Sequence, residues 1–142
     1  MSQEIKDRFK QFVAPTYGRF PITLDRGEAA YVWDTDGKRY LDLGGGIAVN
    51  CLGHAHPEIS QALAGQSARL MHCTNFYHFD GQARLAENLA KRLGPGRVFF
   101  GNSGAEASEV MFKLARRLGQ ADGRFEIITA ENSFHGRTMA GI

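Results

Sequence analysis

Cysteine is scarce in this chain: Cys51 and Cys73 are the only two among 142 residues. Two thiols do not make the disulfide framework on which small secreted domains rest, and a reducing cytosol is the simpler setting. Excess charge is equally scarce. The formal net charge is +2 and no block of basic residues occurs, so neither nucleic acid nor a membrane surface is an expected partner. No apolar run approaches the length of a membrane span. Met1-Ser2-Gln3-Glu4-Ile5-Lys6-Asp7 lacks the apolar h-region of a signal peptide, and its acids argue against an organellar transit peptide. Internal repeats and low-complexity tracts are also missing. The closing residues, Ser133 to Ile142, carry no polar tail and no stop signal. The expectation is a chain that stops inside an element, an N-terminal piece of something longer.

What is present centres on Arg97 to Leu118. Arg97 to Phe100 is a short apolar run rich in aromatic and β-branched side chains, and it reads as a buried strand. Gly101-Asn102 is turn chemistry. Ser103-Gly104-Ala105-Glu106 fits a capping box, with Ser103 as N-cap and Glu106 reaching back. Ala107, Val110, Met111, Leu114 and Leu118 then recur at helical spacing, Arg116 and Arg117 suit the negative end of the dipole, and Gly119 reads as the stop. Phe125 to Thr129 reads as a second buried strand, completing a βαβ unit with parallel strands.

Upstream, Ile5, Phe9, Phe12 and Val13 predict a short helix ending before Pro15. Pro21 to Leu43 reads as an antiparallel meander: strand Ile22 to Leu24, turn Asp25-Arg26-Gly27, strand Ala30 to Trp33, hairpin Thr35-Asp36-Gly37, strand Arg39 to Leu43. Gly44-Gly45-Gly46 reads as a hinge. Pro57 opens a helix through about Leu70 with Ile59, Leu63 and Leu70 inward. Asp80 caps another, with Leu85, Leu89 and Leu93 as its stripe before Gly94. The fold class is α/β, divided into residues 1–50, holding the meander, and 51–142, the start of a larger parallel-sheet domain.

In such sheets ligands sit beyond the carboxyl ends of the strands, so the Ser103 turn and Phe134-His135-Gly136-Arg137 should face one crevice. Residue chemistry alone leaves three readings of Ser103. It belongs to an anion cup formed by the N–H groups of Gly104 and Ala105, its own hydroxyl and the helix dipole. It is the nucleophile of a serine hydrolase, because Gly101-Asn102-Ser103-Gly104-Ala105 is one residue from G-x-S-x-G and His135 follows Asp122, Glu126 and Glu131. Or it is an ordinary helix cap. Phe134-His135 offers rings to stack on a flat ligand, and Arg137 a fork for a carboxylate. His54-Ala55-His56 near Cys51, and His72-Cys73, supply metal-ligand types without a familiar zinc spacing, so no metal is expected.

Ordered motifs narrow this. Tyr17-Gly18-Arg19-Phe20-Pro21, Gly27 to Asp42, Gly46-Ile47-Ala48-Val49-Asn50, Leu52-Gly53-His54-Ala55-His56-Pro57, Asn102 to Ala107 and Phe134 to Thr138 follow one another nearly end to end. Together they resemble the N-terminal third of class III (ornithine-type) pyridoxal-phosphate aminotransferases, the acetylornithine branch above all. The resemblance implies the fold-type I transferase fold, with pyridoxal 5'-phosphate as cofactor. It implies a cytoplasmic homodimeric enzyme that moves the δ-amino group of N-acetylornithine to 2-oxoglutarate in arginine biosynthesis. Ser103, Gly104 and Ala105 would seat the cofactor phosphate, Phe134 would stack on its ring beside His135, and Arg137 would take the substrate carboxylate. Ile47 and Val49 would line the substrate pocket, and Asn75-Phe76-Tyr77 would lie near the dimer interface.

The lysine that carries the cofactor is expected beyond Ile142: Lys6, Lys10, Lys38, Lys91 and Lys113 stand outside the family's lysine motif, so no catalytic residue is assigned here. Gly44-Gly45 replaces the bulkier residues commoner before Gly46. Ornithine, succinylornithine and 4-aminobutyrate remain alternative donors. A non-enzymatic piece that only associates with a partner is the third reading.

Overall fold

Local pairing organises the chain in the computed structural model, which describes residues 2–141; Met1, at the head of the expected first helix, and Ile142, at the expected abrupt end, lie outside them. Two compact units, Met1–Thr74 and Asn75–Ile142, are taken separately.

The first unit opens with α1 (Ser2–Phe12). Its polar side is laced by i,i+4 contacts, Gln3 to Asp7 and Arg8 to Glu4. Lys6 Nζ donates to the Pro21 carbonyl at 3.0 Å, and the Arg19 guanidinium lies 5.0 Å from the Phe9 ring centre, tying α1 to the segment that follows. The meander forms as an antiparallel sheet in the order β1 (Leu24–Glu28), β2 (Tyr31–Asp34), β3 (Arg39–Leu41). Its first turn is not where sequence chemistry put it. Asp25-Arg26-Gly27 lies within β1, where the register shifts between Leu24 and Arg26, and the chain reverses at Ala29-Ala30 so that Glu28 pairs with Tyr31. The physical reason is a bulge, which absorbs the extra residue without ending the strand.

The second turn falls as expected. Gly37 takes φ 82, and the Asp34 carboxylate accepts from the N–H groups of Asp36 and Lys38 at 3.0 and 2.8 Å and from Tyr40 Oη at 2.7 Å. One sheet face carries Arg26 over Trp33 at 3.7 Å and Arg39 over Tyr31 at 4.7 Å. The other holds Val32, which is buried opposite Tyr40.

Past β3 the glycine run, read as a hinge, forms a single turn, α2 (Gly45–Ala48). Gly45, Gly46, Ile47 and Ala48 all have positive φ, at 50°, 65°, 63° and 61°. Ile47 and Ala48 hold a left-handed conformation that costs an L-residue about 1–2 kcal/mol. α3 (Pro57–Ser67) starts on Pro57 as expected and stops short of Leu70. Ile59, Leu63 and Leu70, expected inward, are exposed.

The second unit holds α4 (Asp80–Leu93) and α5 (Gly104–Gly119), followed by a 3-10 turn, η1 (Gln120–Asp122). Asp80 is the first residue of α4 rather than its cap: Phe79 occupies the N-cap, and Asp80 pairs with Arg84 one turn on. Leu85 and Leu93 are exposed, while Leu89 is half-buried. On α5 the buried side chain is Phe112, with Ala105 and Ser108 half-buried on the same face. Of the expected stripe Val110 is half-buried, while Ala107, Met111, Leu114 and Leu118 are exposed. Gly119 does not act as the left-handed stop. It stays right-handed and is buried against Arg124, whose carbonyl oxygen would lie 1.9 Å from a β-carbon, so only glycine fits there; Gly123, at φ 67, makes the turn instead.

Segments 97–100 and 125–129 flank α5 as expected of βαβ strands, yet among the described residues neither joins a ladder. An apolar run supplies a strand's side chains but not its neighbour, and parallel strands need a neighbour on each side to satisfy their N–H and C=O groups. The fold class is therefore α/β, with one small antiparallel sheet as its hydrogen-bonded sheet.

Candidate functional site

The anion seat at the start of α5 is built by Ser103. Its backbone is extended at φ −156 and ψ 164, its Oγ accepts from Glu106 N–H at 3.2 Å, and its carbonyl accepts from Ala107 N–H at 3.0 Å. The expected reciprocal bond shifts by one residue: Glu106 Oε2 accepts from Asn102 N–H at 2.5 Å rather than from Ser103. Capping thus satisfies the third N–H of the helix and leaves those of Gly104 and Ala105 without an acceptor among the described residues. Nothing stands within 4 Å of where a Gly104 β-carbon would be. Two N–H groups, a hydroxyl able to donate, and the positive end of a 16-residue helix converge on open space.

The segment after position 130 closes on this seat. Gly136, at φ 102, packs so tightly on α5 that a β-carbon would meet Ala105 Cβ at 3.0 Å and its Cα at 3.1 Å. His135 meets the buried Phe112 edge-on, ring centres 5.9 Å apart at 73°. Phe134 keeps its ring exposed, with the Arg137 guanidinium 5.4 Å from its centre. Thr138 Oγ1 is buried and has no hydrogen-bond partner among the described residues. Ser103, Gly104, Ala105, Phe134, His135 and Arg137 are therefore gathered in one unit by the Ala105–Gly136 and Phe112–His135 contacts. Ile47 and Val49 belong to the other unit, exposed on and just after α2.

The hydrolase alternative is not assembled. Ser103 has relaxed N-cap geometry rather than the strained conformation of a nucleophile elbow. The recorded side-chain bond of Ser103 goes to Glu106 N–H, and the ring contact of His135 goes to Phe112. Of the histidines considered as metal ligands, His54 has its Nε2 2.7 Å from Asp42 Oδ2, while His56 stands at the N-cap position of α3 without a side-chain cap bond, its buried Nδ1 lacking a hydrogen-bond partner among the described residues. Among the described residues no group of three metal-ligating side chains occurs. Cys51 and Cys73 are both free thiols.

Sequence pattern assigned no role to Phe112, which seats His135, to Thr138, with its orphaned hydroxyl, or, in the other unit, to Asp42, which holds the glycine turn. Asp42 Oδ1 accepts from Gly44 and Gly45 N–H at 3.1 and 2.9 Å. The His54 contact above all, then these N–H groups, hold its carboxyl below the usual carboxylate range.

Comparison with known proteins bears on the same residues. The family model described as aminotransferase class-III matches residues 12–142. An acetylornithine aminotransferase of Methanothermobacter thermautotrophicus is 48% identical over 99% of this chain, which spans 35% of that relative. The crystal structure of an acetylornithine aminotransferase from Elizabethkingia anophelis superposes with a TM-score of 0.79 at 32% identity, over 84% of this chain and 31% of that one. A taurine:2-oxoglutarate aminotransferase from Bifidobacterium kashiwanohense, solved in complex with PLP and glutamate, gives a TM-score of 0.89 at 29% identity, over 99% of this chain and 32% of that one. The chain thus spans about a third of the length of the relatives it matches.

Proposed function

The chain belongs to the class III aminotransferases, and from that premise we propose that it supplies the cofactor-phosphate seat and the substrate-carboxylate clamp of a pyridoxal 5'-phosphate-dependent acetylornithine:2-oxoglutarate transaminase. The observation that carries the reading is the pair of open N–H groups at Gly104 and Ala105, capped by Ser103 and braced by Gly136.

The donor set fits a phosphate. It is made of N–H and O–H groups at a helix N-terminus, it has room at Gly104, and the orphaned Thr138 hydroxyl lies in the segment that closes on the helix. Bound there, the cofactor would act as the electron sink for the reacting carbon of the amino substrate. Ser103, Gly104 and Ala105 would hold the phosphate by hydrogen bonds that need no rearrangement of the helix. Phe134 would offer its exposed ring to the cofactor's flat face, and His135 would be kept in place by Phe112. Arg137 would bind the α-carboxylate through two parallel N–H bonds, fixing which carbon faces the cofactor. Ile47 and Val49 would line the substrate pocket and exclude water from it. Residues 1–50 would belong to the small domain and 51–142 to the large one. The cofactor-bearing lysine would be supplied by sequence beyond this stretch, in a cytoplasmic homodimer. Sequence likeness to acetylornithine aminotransferases across almost the whole chain supports the donor; ornithine, succinylornithine and 4-aminobutyrate are the competing donors.

The test is reconstitution of the whole protein with pyridoxal 5'-phosphate, followed by initial rates with each donor and 2-oxoglutarate. N-acetylornithine should give the highest kcat/KM. A higher kcat/KM for another donor would reassign the substrate, and no transamination with any donor would overturn the activity.

A further inference from the structure

We propose that Asp42 and His54 form a clasp that positions the left-handed turn Gly45–Ala48, and through it Ile47 and Val49, for binding the amino substrate. The substrate half of this rests on the reading above; the clasp itself rests on contacts within the first unit.

The turn needs an external hold. Four successive positive-φ residues include Ile47, whose β-branched side chain disfavours that region, and Ala48. Its own hydrogen bonds, Ala48 N–H to Gly44 and Val49 and Asn50 N–H to Gly45, close the turn but do not choose its hand. The hand is set at its entrance, where one carboxylate oxygen of Asp42 accepts from both Gly44 and Gly45 N–H. The other oxygen is taken by His54 at 2.7 Å, so the carboxylate is held from both sides.

His54 is itself fixed from three directions. Its N–H donates to the Ala29 carbonyl at 2.8 Å, and its carbonyl accepts from Ala29 N–H at 3.0 Å. Its ring lies where a Gly27 β-carbon would stand, 2.6 Å from Cγ. Gly53, at φ 81, lets the backbone come this close: a β-carbon there would sit 2.7 Å from the Ala29 carbonyl oxygen. The first hairpin turn, His54, Asp42 and the glycine turn therefore form one mechanical series. A strained conformation persists where its surroundings over-determine it, and such conformations cluster at ligand-binding segments.

The experiment uses the whole protein with cofactor and compares Asp42→Ala, His54→Ala and the double variant by amide exchange over residues 44–50 and by steady-state kinetics. Each single variant should speed exchange there and raise the amino-donor KM about tenfold while kcat stays within about threefold, and the double should be no worse than the worse single, because both act through one contact. Unchanged exchange, or effects of the singles that multiply in the double, would overturn the clasp. Faster exchange with an unchanged donor KM would overturn its role in substrate binding. Absence of transamination in the unaltered protein would instead sink the functional reading, and the exchange comparison would still decide the clasp. Should the alanine variants not fold, His54→Phe keeps a flat ring against Gly27 but has no nitrogen to meet Asp42, and exchange at Gly44 and Gly45 equal to that of the unaltered protein would overturn the clasp.

Discussion

Gly136 and Ala105 leave little room between them: a β-carbon on Gly136 would stand 3.0 Å from that of Ala105, at a φ of 102° that side chains rarely adopt. This contact joins the segment carrying Phe134 and Arg137 to the first turn of α5. Gly136→Ala puts a side chain at a positive φ, a strain that costs about 1–3 kcal/mol, and presses it against Ala105. Urea unfolding of the whole protein should show a loss in that range, and cofactor retention should fall with it. A variant as stable as its parent would mean that the segment does not rest on the helix.

Ser103 serves α5 as a cap and, in the proposed function, the phosphate as a donor. Ser103→Ala removes the acceptor from Glu106 N–H, which should cost about 1 kcal/mol of stability. It also removes one hydrogen bond to a charged group, worth about 1.5–3 kcal/mol, so cofactor affinity should fall about ten- to a hundredfold. Turnover at saturating cofactor should be largely retained, because the Gly104 and Ala105 N–H groups are untouched. Complete loss of turnover under saturation would restore the nucleophile reading.

How far the sequence could be read depended on the range of the interaction. Ser103, Glu106 and the α5 start were legible because capping is written within four residues, and the Asp36-Gly37 hairpin for the same reason. The turn at Ala29-Ala30 was not, since neither residue carries turn chemistry and the bulge in β1 hides the register. Segments 97–100 and 125–129 have the composition of strands, but their pairing depends on neighbours that composition cannot name. The Asp42–His54 contact spans 12 residues between a strand end and a loop, and no spacing rule joins them. The anion seat was visible locally; its bracing by Gly136 and Phe112 was a tertiary fact.

The Asp34–Tyr40 hydrogen bond gives the second hairpin a pH window with two edges. The Tyr40 hydroxyl, ahead of the Lys38 and Asp36 N–H groups, holds the Asp34 carboxyl below its ordinary range, while that carboxylate pushes the Tyr40 phenol above its own. A depressed carboxyl stabilises above its unfolded pKa of about 3.9 and loses the contribution as pH falls through the lower folded value; a raised phenol stabilises below about 10 and loses it as pH rises through the higher folded value. Spectrophotometric titration should therefore show one tyrosine ionising later than the rest. Tyr40→Phe should abolish that late phase, and Asp34→Asn should move it back toward the others. A late phase that survives Tyr40→Phe would assign it to another residue.

The largest unbalanced quantity in the molecule is its surface. The chain exposes 12848 Å², whereas a folded monomer of its 15.7 kDa exposes about 7300 Å². Among the described residues only Val32 and Phe112 are buried apolar side chains, while Phe20, Leu43, Phe76 and Ile128 are each at least 86% exposed. Ile5, Phe9, Val13, Phe20, Ile22 and Leu24 line a hollow of about 720 Å³ in the first unit, rimmed by Lys6, Lys10 and Arg19. Contiguous apolar surface of this kind finds a cover or aggregates. The 142-residue chain, prepared by itself, should scatter light increasingly with concentration, bind a hydrophobic dye, and unfold over a broad temperature range. Phe20→Asp combined with Ile22→Lys should reduce dye binding and raise solubility, since it places charges in the hollow without touching α5 or the sheet hydrogen bonds. A monodisperse monomer with a sharp, cooperative transition would show that these faces close on each other in solution.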